Sequence, residues 1–131
     1  MSDVLERAAL RGAAPIIPVR RVARSCAFYT EVLGFALAAR NREGTFAHVR
    51  RGPAELMLLQ LDEPRAMQAT SHYLSVYVWA EDVDALWHEV EPRLSGIPAD
   101  RVAPIFTRPD GRREFHLRDP DGCLLFFGAP A

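Results

Sequence analysis

The segment from Arg113 to Gly128, REFHLRDPDGCLLFFG, constrains this chain more than any other. It sets two apolar runs on either side of Asp-Pro-Asp-Gly and predicts a β-hairpin. Pro120 presets φ at the second turn position, Asp119 caps the turn through its side chain, and Gly122 closes it without steric cost. Phe115 and Leu117 lead into the turn, and Leu124, Leu125, Phe126 and Phe127 leave it as a run suited to a well-buried strand. The pattern has an echo. Phe46 to Leu59, FAHVRRGPAELMLL, holds strand, polar turn and apolar strand in the same order, and a slide of about 69 positions lays Phe46 on Phe115 and Met57 on Phe126. AFYTEV likewise precedes ALWHEV by about 58 positions, so one supersecondary unit is written twice.

Taken in order, Ser2 or Asp3 caps a short helix over 4–10 that Gly12 ends. Ala14 to Val19 is apolar and extended. Its prolines, Pro15 and Pro18, each remove a ladder donor, which suits an edge strand, a strand start or a strand exchanged with a second copy. Helical spacing of Phe28, Tyr29, Val32 and Leu33 predicts a helix over 25–33 with Gly34 as its C-terminal cap, and strands follow at 35–39, 45–49 and 56–61. The polar stretch 62–72 reads as a linker. A strand at 73–80, a helix over 83–94 capped by Asp82, a loop at 95–100, a strand at 102–106 and the organising hairpin complete the second copy. The expectation is one domain over 1–131, with βαβββ modules at 14–61 and 73–128.

At 131 residues there is material for one core and too little for two ordinary domains, and 49% hydrophobic with 25% charged residues is the balance of a globular protein. No apolar run reaches the roughly 18 residues that span a bilayer, and the first residues lack the apolar region of a secretory signal. The expected location is the cytoplasm. A net charge of −1 supplies no pull toward nucleic acid or an anionic membrane. All sixteen basic residues are arginine, which excludes Schiff-base chemistry and a Walker-type phosphate loop, since both need a lysine amine. Cys26 and Cys123 match no metal or redox spacing and read as reduced thiols. Among His48, His72, His88 and His116 no pair has the spacing of a metal motif, and no Gly-x-Ser-x-Gly elbow or Cys-His constellation occurs, so no catalytic nucleophile is indicated.

From Ala14 to Gly128 the chain resembles the glyoxalase, bleomycin-resistance and extradiol-dioxygenase superfamily, the vicinal oxygen chelate proteins. The resemblance rests on IIPVRRVARSCAFYTEVLGF in the first copy, and SVYVWAEDVDALWHEV and REFHLRDPDGCLLFF are most similar to the bleomycin resistance proteins. It implies an α+β fold in which two βαβββ modules form a curved eight-stranded mixed sheet around a cavity. Enzymes of this superfamily hold a divalent metal there with four ligands, usually His, Glu or Gln. The corresponding positions in this sequence are Ala14, Met57, Ser75 and Phe126, none of them a usual ligand for such an ion. Gln60 or His72 would serve only if its strand slid by three residues, an odd slip that turns the side chain to the other face.

Period-two alternation then sends Tyr77 and Trp79 to the side of Ser75, Leu59 to the side of Met57, and Leu124 to the side of Phe126. The cavity wall becomes an aromatic trough on which a flat ligand can stack, with Phe46 as a further platform. Arg20, Arg21, Arg24, Arg112 and Arg113 form either a soluble rim or an anchor for a ligand anion, and Arg113, leading into the last hairpin, is the best placed. The expected ligand-binding set is Phe46, Met57, Ser75, Tyr77, Trp79, Arg113 and Phe126, with no cofactor and no metal. The function the resemblance implies is a homodimeric binder that confers resistance by sequestering an aromatic or glycopeptide antibiotic-like ligand. A glyoxalase- or dioxygenase-type lyase or isomerase with rearranged metal ligands is the alternative.

Overall fold

The computed structural model describes residues 2–130. The first module contains β1 (Ile16–Val19), β2 (Ala36–Arg40), β3 (Phe46–Arg51) and β4 (Ala54–Gln60), which form one sheet in the order β1-β4-β3-β2. The second contains β5 (Ser75–Trp79), β6 (Val102–Thr107), β7 (Arg113–Arg118) and β8 (Leu124–Gly128), in the order β5-β8-β7-β6. In each sheet the first strand runs parallel to the last, and the remaining pairs are antiparallel. This is the expected α+β arrangement of two βαβββ modules, its eight strands divided four to a sheet.

The helices follow from local chemistry. A short α1 (Ser2–Arg7) stands in place of the expected 4–10 helix, and the side chain of Ser2, a candidate cap, lies outside what is described. α2 (Val22–Ala27) passes directly into a π-helical turn over Phe28–Val32, where the Thr30 hydroxyl donates to the Cys26 carbonyl at 2.9 Å and competes with the regular ladder. The stretch that reads as a linker holds α3 (Pro64–Tyr73): the Glu63 side chain accepts from the Ala66 N–H at 2.6 Å, and Pro64 takes the first turn, where its missing N–H costs nothing. α4 (Val83–Val90) is capped by Asp82 as expected, and Pro92 tightens its continuation to a 3-10 turn over Glu91–Leu94.

Alternation decides the core. Ile17, Val19, Ala47, Val49, Leu56 and Leu58 from the first sheet, and Phe115, Leu117, Leu125 and Phe127 from the second, are buried together with Tyr29, Leu33, Val83 and Val90. One face of each sheet therefore enters a common core with the helices, and the other face is left open.

Polar bridges fasten the modules. The Tyr29 hydroxyl donates to Asp119 at 2.8 Å, and the other Asp119 oxygen accepts the Asp121 and Cys123 N–H groups, so the helix motif FYTEVLGF and the DPDG turn are one device. Gly122 stands at φ 93°, the left-handed conformation that lets the turn close. Arg20 and Arg24 from the α2 entry, with the Ser25 hydroxyl, hold the buried Asp121. Arg51 grips Glu89 of α4 through two bonds of 2.8 Å. β1 pairs in parallel with β4, and as an edge strand it tolerates Pro18.

Candidate functional site

The open face of the second sheet is arranged in rows across its strands. Trp79, Gly128, Glu114 and Phe106 form one row, Tyr77, Phe126, His116 and Ala103 the next, and Ser75, Leu124 and Arg118 the third. The rings touch in sequence. Tyr77 lies 4.7 Å from Trp79 and 5.8 Å from Phe126, nearly parallel to the latter at 12°, while His116 meets Phe126 at 4.4 Å and Phe106 at 5.3 Å, both edge-on. Trp79 is 60% exposed at the end of this string.

Within the aromatic string sits a charge. The Glu114 side chain is fully enclosed, accepting from the Tyr77 hydroxyl at 2.8 Å, His116 Nε2 at 2.6 Å and Arg108 Nη1 at 3.1 Å. Burial pushes its carboxyl up, but the hydrogen bonds from His116, Tyr77 and Arg108 prevail and hold it below the usual carboxylate value. Burial and the bond to Glu114 raise the Tyr77 phenol, which therefore keeps its proton. Arg112 lies over the Tyr77 ring at 5.5 Å and is held by Asp110 at 3.1 Å. Gly128 is what allows this packing, because a Cβ there would run into the Tyr77 hydroxyl.

Of the expected set, Ser75, Tyr77, Trp79 and Phe126 come together on this face. Phe46 and Met57 occupy the open face of the first sheet, Met57 in a row with Ile16 and His48, and Phe46 beside Leu59. Arg113 does not join them. It alternates with Glu114, so it projects from the helix side of β7 and is bound by Asp84 of α4 and Thr107. The cations on the open side of the second sheet are Arg108 and Arg112 near Glu114, and Arg118, which donates to the Gly122 carbonyl at 2.8 Å. Arg20 and Arg24, two of the five candidate rim residues, are committed to Asp121.

Glu114 escapes sequence reasoning because of one residue. The two hairpins pair Phe46 with Leu59 and Glu114 with Gly128, so β4 and β8 correspond by a shift of 69 but β3 and β7 by 68. The longer DPDG turn absorbs the difference. A single slide matches Phe46 with Phe115, a core residue, when its structural counterpart is Glu114. A Glu-x-His spacing on a strand was the available signal, since it puts both side chains on one face.

The superfamily's metal finds no suitable donors at the corresponding positions. Ala14 precedes β1, and Met57, Ser75 and Phe126 bring a thioether, a hydroxyl and a phenyl ring where imidazole or carboxylate is required. The strand registers leave no substitute: Gln60 pairs with Val19 in the core-facing row, and His72 lies on α3. Among the described residues no group of three His, Cys, Asp or Glu side chains stands where it could hold a metal ion.

Beside the aromatic face a cleft of about 800 Å³ opens between the modules, bordered by Pro15, Arg51, Glu55, Tyr77, Trp79 and Glu89. No helix among the described residues is long and apolar enough to cross a membrane.

The model of the Glyoxalase/Bleomycin resistance protein/Dioxygenase superfamily matches residues 13–127. No curated protein matches the chain. Among solved structures, a bleomycin-binding protein from bleomycin-producing Streptomyces verticillus, complexed with copper(II)-bleomycin, is similar at 26% identity, covering 94% of this chain and 98% of that one with a TM-score of 0.75. A bleomycin resistance determinant encoded on the transposon Tn5 is similar at 23% identity over 90% and 96%, with a TM-score of 0.73. A lactoylglutathione lyase from Agrobacterium tumefaciens shares the fold at 19% identity over 92% and 95%, with a TM-score of 0.65. The same architecture thus serves binders and an enzyme, and the side chains of the open face must decide between them.

Proposed function

This chain belongs to the glyoxalase/bleomycin resistance protein/dioxygenase superfamily, and we propose that it acts there as a metal-free binder that sequesters a small aromatic or glycopeptide ligand of the antibiotic kind. The observation that carries this reading is the continuous string of Trp79, Tyr77, Phe126, His116 and Phe106 where a metal centre would need imidazoles and carboxylates. A planar ligand stacks on such a surface, and the cleft beside Trp79 gives a larger one room to extend. Similarity to a copper(II)-bleomycin-binding protein supports the ligand class.

The binding unit is a homodimer. Ile16 and Leu59 on one open face, and Trp79 and Phe106 on the other, are between 37% and 60% exposed in the single chain. A second copy laid across these faces turns each into a cavity and removes apolar surface from water. Phe46 and Met57 then line the wall opposite the Tyr77 and Trp79 of the other copy. Free Cys26 and Cys123 suit the reducing cytoplasm.

A thermal-shift screen tests the function, because any native-state binder raises the midpoint by mass action. Bleomycin or another flat antibiotic should raise it equally with and without chelator, and zinc, manganese or nickel alone should not. A rise that requires a divalent metal favours the lyase, isomerase or dioxygenase alternative.

A further inference from the structure

The Glu114 cluster sets the hydrogen-bonding polarity of whatever docks on the second sheet, an inference that rests on the reading of that face as the ligand site and names the ligand's chemistry. An ionised carboxylate only accepts hydrogen bonds. Glu114 is bonded to the Tyr77 hydroxyl and to His116 Nε2, so both hydrogens are committed inward. Valence fixes what remains. The Tyr77 oxygen accepts a long bond from Arg112 Nη1 at 3.5 Å and keeps one further lone pair, and a neutral imidazole with its hydrogen on Nε2 is an acceptor at Nδ1. The nearby cations are matched in charge, Arg108 by Glu114 and Arg112 by Asp110, so with a neutral His116 the cluster has no surplus positive charge to draw an anion, and the one unpartnered donor among them, Arg108 Nε, is buried.

We infer that the enclosed Glu114, by holding the Tyr77 and His116 hydrogens inward, makes these two side chains an acceptor array that selects flat aromatic ligands bearing O–H or N–H donors on their edge, the class of phenols, catechols and amino-heteroaromatics. The rings of Trp79 and Phe126 flank Tyr77 at 4.7 and 5.8 Å, so stacking and donor recognition share one surface. A ligand whose edge carries only ether or carbonyl oxygens faces lone pairs with lone pairs and leaves the array unpaired, which costs affinity.

The test compares 2-naphthol with 2-methoxynaphthalene, which has the same ring system and no donor, by amide chemical-shift titration of the protein. Wild type should bind the naphthol at least about tenfold more tightly, the worth of one net hydrogen bond, with shifts centred on Tyr77, Trp79 and Phe126. In Glu114→Gln one of the two accepting oxygens becomes an NH2 donor, so Tyr77 or His116 must turn its hydrogen outward, and the preference should fall below about threefold. Equal affinity of wild type for the two naphthalenes overturns the acceptor array while leaving the face a binding site, and shifts elsewhere on the protein with none on this face overturn the site itself. The array also has a ligand-independent signature. Ring nitrogen spectra of His116 in wild type should show a protonated Nε2 and a bare Nδ1 when the ring is neutral, and the opposite tautomer refutes the assignment whether or not Glu114→Gln folds.

Discussion

Replacing Tyr29 by Phe removes one oxygen atom from the junction of the two modules and keeps the ring. The hydroxyl donates to Asp119 Oδ2 at 2.8 Å, and the two residues are 0% and 1% exposed, so no water takes its place. A lost hydrogen bond to a buried charged group costs about 1.5–3 kcal/mol, and for a domain of this size about 2 kcal/mol lowers the melting temperature by roughly 6–10 °C. The cost depends on pH in a definite direction. Burial raises the Asp119 carboxyl above its usual range, while the bonds from Tyr29 and the backbone pull it down. A carboxyl raised in the folded state contributes stability that is fully present below its unfolded value and is lost as pH rises through the folded one. Without the Tyr29 donor the folded value climbs further, so the deficit against wild type is largest at neutral pH and shrinks as the medium is acidified toward the carboxylate range. Urea unfolding at 25 °C, followed by circular dichroism at several pH values, measures it. A deficit below about 0.5 kcal/mol at pH 7, or one that does not shrink on acidification, would refute the account of the Tyr29–Asp119 coupling.

Three further outcomes are expected. Glu114 has a folded value held below normal, so it contributes stability above its unfolded value that is lost as pH falls through the folded one; wild type should lose stability relative to Glu114→Gln over that window, and parallel pH curves would contradict this. Burial pushes the Cys123 thiol up to about 12, so in native protein Ellman's reagent should react with the half-buried Cys26 first and reach Cys123 only on unfolding. Trp79→Ala should change stability by less than about 1 kcal/mol, because the indole is 60% exposed, yet weaken binding of a stacking ligand by about tenfold; a much lower melting temperature with unchanged affinity would place the indole in the core.

The features legible in the sequence were those that repeat or that punctuate. The DPDG hairpin, the two βαβββ modules and the caps at Asp82 and Asp119 follow from turn chemistry and periodicity, and the structure reproduces them. α3 was hidden because Met67 is its one buried apolar residue, leaving no stripe to detect, and because Pro64 reads as a breaker when it is a first-turn residue. Ser75 and Phe126 were placed in the cavity wall by the superfamily's ligand positions, and alternation, which holds within a strand, carried Tyr77 and Trp79 to the side of Ser75. Glu114 and Arg113 went wrong across strands, where a turn one residue longer in one hairpin reverses the face of every residue beyond it. The polar centre of the site was therefore the part that required coordinates.

The central claim is that the aromatic face binds a flat ligand without metal, and the fluorescence of Trp79 reports on it directly. Trp87 packs on Phe115 in the core at 5.0 Å, so Trp87→Phe leaves Trp79 as the single tryptophan. Titrating this variant with bleomycin in excess chelator should quench or shift Trp79 saturably, with one site per chain. Calorimetric binding that leaves Trp79 emission untouched, or binding that occurs only after zinc, manganese or nickel is restored, would contradict it.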